Sequence, residues 1–279
     1  MVDGNALVLG GGGVTGVAWE TGILAGLSEA GLDLSTTDLL VGTSAGAAVA
    51  AQLASGTALG TLLEHQLAGS AQEIPATLGL TLLARYVWAM LTVREPTEYG
   101  RAMGRLGLGA TTVSEQERRA VIASRLPSHE WPERLLKITA VNASTGAFRV
   151  FERDDHVPLV DAVAASCAVP GVWPPVSIDG QRWIDGGMRS AVNADLATGR
   201  ARVVILAPIT SGFGAVPSVG QQADELRAAG AAVVVVSPDR EAKAHMGRNS
   251  LDPAKRRAAA EAGHRQAALE LERVAAVWR

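Results

Sequence analysis

Ala6-Leu7-Val8-Leu9-Gly10-Gly11-Gly12-Gly13-Val14-Thr15-Gly16 opens with four apolar residues and passes without a break into glycines. The apolar tetrad reads as a buried strand, Gly10 to Gly16 as a glycine loop, and Val17 to Ala30 as a helix offering Ala18, Ile23, Leu24 and Leu27 for packing. A second apolar run, Leu39-Leu40-Val41, reads as the next strand, ending at Ser44, and Ala45 to Ala54 reads as an alanine-rich helix. Strand, helix, strand, helix with short connections is the βαβ signature. The sequence therefore predicts an α/β fold, a mainly parallel central sheet with helices on both faces.

Farther along, strands are expected at Leu135 to Asn142, Phe148 to Glu152, Arg202 to Ala207 and Ala231 to Val236, with helices at Leu159 to Cys167, Gly220 to Ala229 and Pro253 to Val277. Residues 57–132 break this alternation: β-branched clusters are few, and Leu78 to Leu91 is leucine-rich with Tyr86 and Trp88. This stretch reads as a helical insertion or cap, whose apolar helices are either plain core or, beside an active site, a shelter for an acyl chain or a contact with a lipid surface. The whole chain, 1–279, is expected to form one domain with a C-terminal helix over 252–279. There Arg256, Arg257, Arg265 and Arg273 mix with Glu261, Glu270 and Glu272 as on a solvated helix face.

A chain of 279 residues, 48% hydrophobic and 19% charged, can bury a large core. Its 25 basic against 28 acidic side chains give a net charge of −3 with no basic block before the C-terminal stretch, so no nucleic-acid partner is expected. Cys167 is the only cysteine, which excludes an intramolecular disulfide and a cysteine-cluster metal site and fits a reducing, cytoplasmic compartment. Met1 to Asn5 has no basic n-region and does not read as a signal peptide. Ala76 to Thr92, the longest apolar region, is interrupted by Arg85 and falls short of the roughly 20 residues a bilayer span needs.

Three places carry chemistry. Gly42-Thr43-Ser44-Ala45-Gly46 lies at a strand-to-helix junction, the context of a nucleophile elbow, although a serine there also reads as an ordinary helix cap. Gly11 to Gly16 satisfies G-x-G-x-x-G after a strand, so a dinucleotide loop, and with it a nucleotide-dependent oxidoreductase, is one reading. That reading needs an acid at the end of the second strand, and Asp33 and Asp38 precede the strand instead. The same glycines can aim backbone amides at a developing oxyanion, or serve only tight packing. A serine nucleophile also needs a base. His65, His129, His156, His245 and His264 have no distinctive setting, whereas Asp185 in Trp183-Ile184-Asp185-Gly186-Gly187 closes a short strand-like run; alone, it reads equally as a turn aspartate.

Together the glycine loop, the Gly-x-Ser-x-Gly elbow and the Asp-Gly-Gly element, in that order, resemble the patatin-like phospholipase family. Ala165 to Val176 (Ala-Ser-Cys-Ala-Val-Pro-Gly-Val-Trp-Pro-Pro-Val) resembles the family's approach to the aspartate strand, so the resemblance runs from about Ala6 to Asn193. It implies a three-layer α/β/α fold and a Ser44–Asp185 dyad without histidine. It also implies an oxyanion hole of the Gly11, Gly12, Gly13 and Ala45 amides, with Gly16, Gly42, Gly46, Gly186 and Gly187 as motif glycines. The substrate would be a lipid or other acyl ester, cleaved without metal or organic cofactor, with membrane contact at most peripheral. Partial burial is expected to raise the pKa of Asp185. A non-catalytic lipid-binding member of the fold is the other reading. Two departures stand out: Thr15 occupies the place of the family's usual arginine or lysine, and Asp195 stands where proline is common.

Overall fold

The computed structural model describes residues 3–69, 73–212 and 214–279. Among these, the strands are β1 (Asn5–Leu9), β2 (Leu39–Gly42), β3 (Leu135–Asn142), β4 (Phe148–Phe151), β5 (Val176–Ile178), β6 (Gln181–Asp185), β7 (Arg202–Leu206) and β8 (Ala232–Val236). The helices are α1 (Gly13–Glu29), α2 (Ala45–Ala54), α3 (Leu59–Ala68), α4 (Leu80–Thr92), α5 (Pro96–Leu108), α6 (Glu115–Arg125), α7 (Leu159–Ser166), α8 (Val219–Ala228), α9 (Arg240–Met246) and α10 (Arg256–Trp278). One mixed sheet is linked by the successive pairings β5-β6-β3-β2-β1-β7-β8, with β4 also paired to β3. β1, β2, β7, β8 and β3 pair in parallel, while β4, β5 and β6 are antiparallel additions.

Strand alternation divides the core between the two faces. Leu7 and Leu9 of β1 pack with α1, α2 and α10, whereas Ala6 and Val8 join Val219, Ala223 and Leu226 of α8 on the opposite face. This is the three-layer α/β/α arrangement. α10 lies along α1, where the Trp19 indole donates to Gln266 Oε1 at 3.0 Å. Ala259, Ala260, Ala267 and Val274 of α10 are buried. The solvated-face reading of the C-terminal segment is corrected at Arg256, which is buried and donates to Gln66 Oε1 at 2.6 Å.

One helix starts earlier than expected. α1 begins at Gly13 rather than Val17, so Gly16 sits in its first turn, donating to Gly12 O at 2.8 Å. Two glycines in one turn have poor helix propensity, but the turn is held from outside: the Thr15 amide donates to Ser250 O at 3.1 Å. Residues 57–132 hold α3, α4, α5 and α6 and, among the described residues, no strand; positions 70–72 of that stretch lie outside the description, as do Met1 and Val2. No helix among the described residues is long and apolar enough to cross a membrane.

β3 acts as a ruler for the site. β4 takes one edge of it, pairing Phe151 with Ile138 and Arg149 with Ala140. β2 and β6 must therefore share the other edge, where Gly42 pairs with Ile138 and Asp185 with Ala140. The end of the serine strand and the aspartate thus register two residues apart on a common neighbour.

Candidate active site

Ser44 follows β2 with φ 53° and ψ −116°, a region that costs a non-glycine residue about 1–3 kcal/mol. Small neighbours make the turn possible. A Cβ on Gly46 would fall 2.1 Å from Leu9 O, and one on Gly42 would fall 2.6 Å from the Ala47 Cα, so α2 can close against β1 only through glycine. The Gly46 amide donates to Gly10 O at 2.9 Å and the Thr43 amide to Leu9 O at 3.0 Å, pinning both sides of the serine. The Ser44 amide is itself taken, donating to Ser166 Oγ at 2.9 Å.

Asp185 closes β6 and is 2% exposed. Its Oδ1 accepts the Gly187 amide at 2.7 Å, and its own amide donates to Ala168 O at 3.0 Å. Gly186 is obligatory, since a Cβ there would lie 2.2 Å from Thr139 Oγ1. Burial raises the Asp185 pKa to about 7, opposed by the nearby Ser44 hydroxyl and by the hydrogen bond from the Gly187 amide. A carboxylate poised near neutrality is a competent proton acceptor. Ser44 and Asp185 thus lie near enough for the hydroxyl to influence the carboxyl's pKa.

Both residues line one cavity of about 370 Å³, with Gly11, Gly12 and Gly13 beside them. Its walls are predominantly apolar: Leu78, Leu83, Tyr86 and Met90 from the helical stretch, Tyr99 from α5, and Val216. This is within the size range of pockets that hold small ligands. The Tyr86 hydroxyl is anchored on Pro170 O at 2.8 Å.

The glycine loop is not uniform. Gly10 donates to Leu206 O at 3.0 Å and to Glu20 Oε1 at 2.9 Å, and Gly11 donates to Ala191 O at 2.8 Å. The expected oxyanion role of the Gly11 amide is therefore corrected: that donor is committed to the Ala191 carbonyl. The amides of Gly12, Gly13 and Ala45 have no partner among the described residues. Glu20, fully buried below the loop, has its pKa pushed well above the carboxylate range by desolvation.

None of the five histidines lines this cavity. His65, His129, His156 and His245 are exposed, and His264 reaches Glu29 at 2.9 Å. Asp38 accepts the Asn5 amide at 2.7 Å, at the start of β2 and so at the wrong end for a ribose.

A family model described as patatin-like phospholipase matches residues 7–198, more than half of the chain. The chain belongs to the patatin-like phospholipase family. Among solved structures, VipD from Legionella pneumophila is similar at a TM-score of 0.50 and 16% identity, over 97% of this chain and 67% of VipD. The type III effector protein ExoU gives a TM-score of 0.43 and 17% identity, over 98% of this chain and 53% of ExoU. At such identities the likeness to VipD concerns the fold alone. No curated protein sequence matches the chain.

Sequence reading missed the residue that ties this patatin-like site together. Asn193, fully buried with φ 50°, donates through Nδ2 to Thr43 Oγ1 at 3.0 Å, Gly186 O at 3.3 Å and Ser190 O at 3.0 Å. It links the residue before Ser44 to the residue after Asp185. Asp195, the departure from the family's proline, forms a two-point ion pair with Arg189 at 2.9 and 2.8 Å. Thr15 is fully buried and brings no positive charge. Cys167 is buried, and desolvation together with nearby Asp185 pushes its thiol up to about 12, so it is inert as a nucleophile.

Proposed function

We propose that the chain is a serine acyl hydrolase that cleaves fatty-acyl esters of lipids through Ser44 and Asp185. The observation that carries this reading is the serine hydroxyl and a buried, near-neutral carboxylate sharing one apolar cavity beside free backbone amides. Ser44 Oγ attacks the ester carbonyl while its proton passes to Asp185. The carbonyl oxygen becomes an oxyanion facing the Gly12, Gly13 and Ala45 amides. Collapse breaks the ester bond; the departing alkoxide takes the proton from Asp185 and leaves an acyl-serine. Water then attacks the acyl carbon, gives its proton to Asp185, and the tetrahedral intermediate expels Ser44, which recovers that proton as the fatty acid leaves. Acyl specificity is expected to follow the apolar cavity. Across p-nitrophenyl esters of increasing chain length, kcat/KM should rise from acetate to medium chains; a flat or falling series would contradict the assignment of the cavity to the acyl chain.

The helix at the cavity mouth supports peripheral contact with a lipid surface. Leu80, Leu83, Val87, Trp88 and Leu91 recur at helical spacing on α4 and are exposed, Leu80 by 86% and Trp88 by 66%, while Tyr86 and Ala89 face inward. Leu83 belongs to both the exposed row and the cavity lining, so the apolar surface continues into the cavity. A helix of this kind lies in the interfacial plane of a bilayer. Replacing Leu80 and Trp88 together by serine should reduce co-sedimentation with phospholipid vesicles at least tenfold. Unchanged sedimentation would contradict this use of α4.

A further inference from the structure

Arg118 on α6 is 5% exposed, yet its Nε and Nη1 have no hydrogen-bond partner among the described residues. Its guanidinium carbon lies 3.8 Å from the ring centre of Trp173, which supports the plane but accepts none of its in-plane donors. Buried guanidinium groups ordinarily sit against carboxylates that engage those donors. Here carboxylate is scarce. Glu73 is engaged by Arg125 at 3.0 and 2.6 Å and lies 3.5 Å from Arg256 Nη1. Three buried or nearly buried guanidiniums thus gather around the single carboxylate of Glu73. Desolvation first, and then Arg125, lower the Arg118 pKa to about 10, which leaves it charged at neutral pH.

The side chain is placed to be used. Arg118 and Arg125 line a small cavity, about 20 Å³, together with Gly13, Ser44, Ala45 and Trp173. This space has room for an oxygen atom or two and not for an acyl chain. Ser44 and Gly13 belong to both this cavity and the large apolar one, so the two meet at the serine from different sides. The small cavity differs in carrying the Arg118 and Arg125 guanidiniums, which the large one lacks.

We propose that Arg118, backed by Arg125, forms an anion subsite adjoining Ser44 that receives terminal oxygens of a phosphate-type group, replacing from α6 the positive charge that Thr15 does not supply. Where the ligand is an acyl ester carrying that group, the subsite selects charged over neutral esters; this selectivity, though not the binding, rests on the reading of Ser44 as nucleophile.

The test measures binding in a Ser44→Ala protein, where turnover cannot intervene. Titration with octanoyl lysophosphatidic acid, octanoylglycerol and inorganic phosphate should show the charged lipid binding at least tenfold more tightly than the neutral one. Arg118→Gln in that background should abolish the difference, and Arg118→Lys should restore part of it. Saturable binding of inorganic phosphate, lost in Arg118→Gln, would support the subsite as one for free anions as well as headgroups; charged-lipid preference without phosphate binding would support it as a headgroup site. Equal affinity for the charged and neutral lipids overturns the proposal, and that comparison needs no substitution at Arg118. A preference that survives Arg118→Gln overturns it too. A wild-type protein that prefers the charged lipid but hydrolyses no ester would support the subsite while removing the nucleophile assignment.

Discussion

Ser44→Ala is expected to lower kcat for p-nitrophenyl butyrate by more than about 10³-fold, with the fold unchanged. The loss is large because the hydroxyl is the atom that forms the acyl intermediate, and neither Cys167 nor a histidine stands in its place. Cys167 is buried with its thiol pushed up to about 12, and the five histidines lie away from the cavity. The fold should survive because the interactions that hold the elbow are made by its backbone and neighbours: Gly46 to Gly10 O, Thr43 to Leu9 O, and the Ser44 amide to Ser166 Oγ. Circular dichroism and a melting curve beside the kinetics separate loss of chemistry from loss of structure. A folded Ser44→Ala protein with full esterase activity would contradict the assignment.

Asp185→Asn should lower kcat by about 10²–10⁴-fold, the scale of a lost general base, and at the same time stabilise the protein at neutral and higher pH. The folded-state pKa of about 7 lies above the ordinary value of 3.8, because burial opposes the charged form. Below pH 4 the carboxyl is protonated in both folded and unfolded chains and costs nothing. Between about 4 and 7 the unfolded chain ionises while the folded one holds its proton, so the wild type loses stability as pH rises. Above about 7 the cost is constant, on the order of 4 kcal/mol at most. Asparagine cannot ionise, and its carbonyl can still accept the Gly187 amide. The gap in melting temperature between Asp185→Asn and wild type should therefore open from pH 4 to 7 and then level off. Wild-type kcat/KM should rise over the same interval and reach a plateau, since the base acts when ionised. A gap that does not vary with pH, or activity that falls through this range, would contradict a buried near-neutral carboxylate.

What could be read in the sequence was what local pattern encodes. The strands at Ala6 to Leu9 and Leu39 to Val41, the elbow around Ser44 and the Asp185-Gly186-Gly187 element stand in the structure where the apolar runs and glycines put them. The start of α1 was not legible, because Gly13 and Gly16 argue against helix and only the distant Ser250 carbonyl holds that turn. β5 is three residues long and α9 seven, both below the length at which periodicity separates strand from helix. The fate of the Gly11 amide depended on Ala191, 180 positions away, and the role of Asn193 on Thr43 and Gly186 meeting around it. Arg118 shares the buried face of α6 with Val121 and Ile122, but an arginine flanked by Glu115, Glu117 and Arg119 reads in sequence as a solvated residue rather than an inward one.

The most direct measurement of the central claim is mass-spectrometric mapping of the adduct left by a fluorophosphonate probe. The reagent forms a stable bond with a serine activated by a base and an oxyanion site. A single adduct on Ser44 is predicted, slowed at least 10²-fold in Asp185→Asn and following the pH dependence of esterase activity in the wild type. An adduct on another residue, or labelling of Ser44 at the same rate with asparagine at 185, would contradict the account.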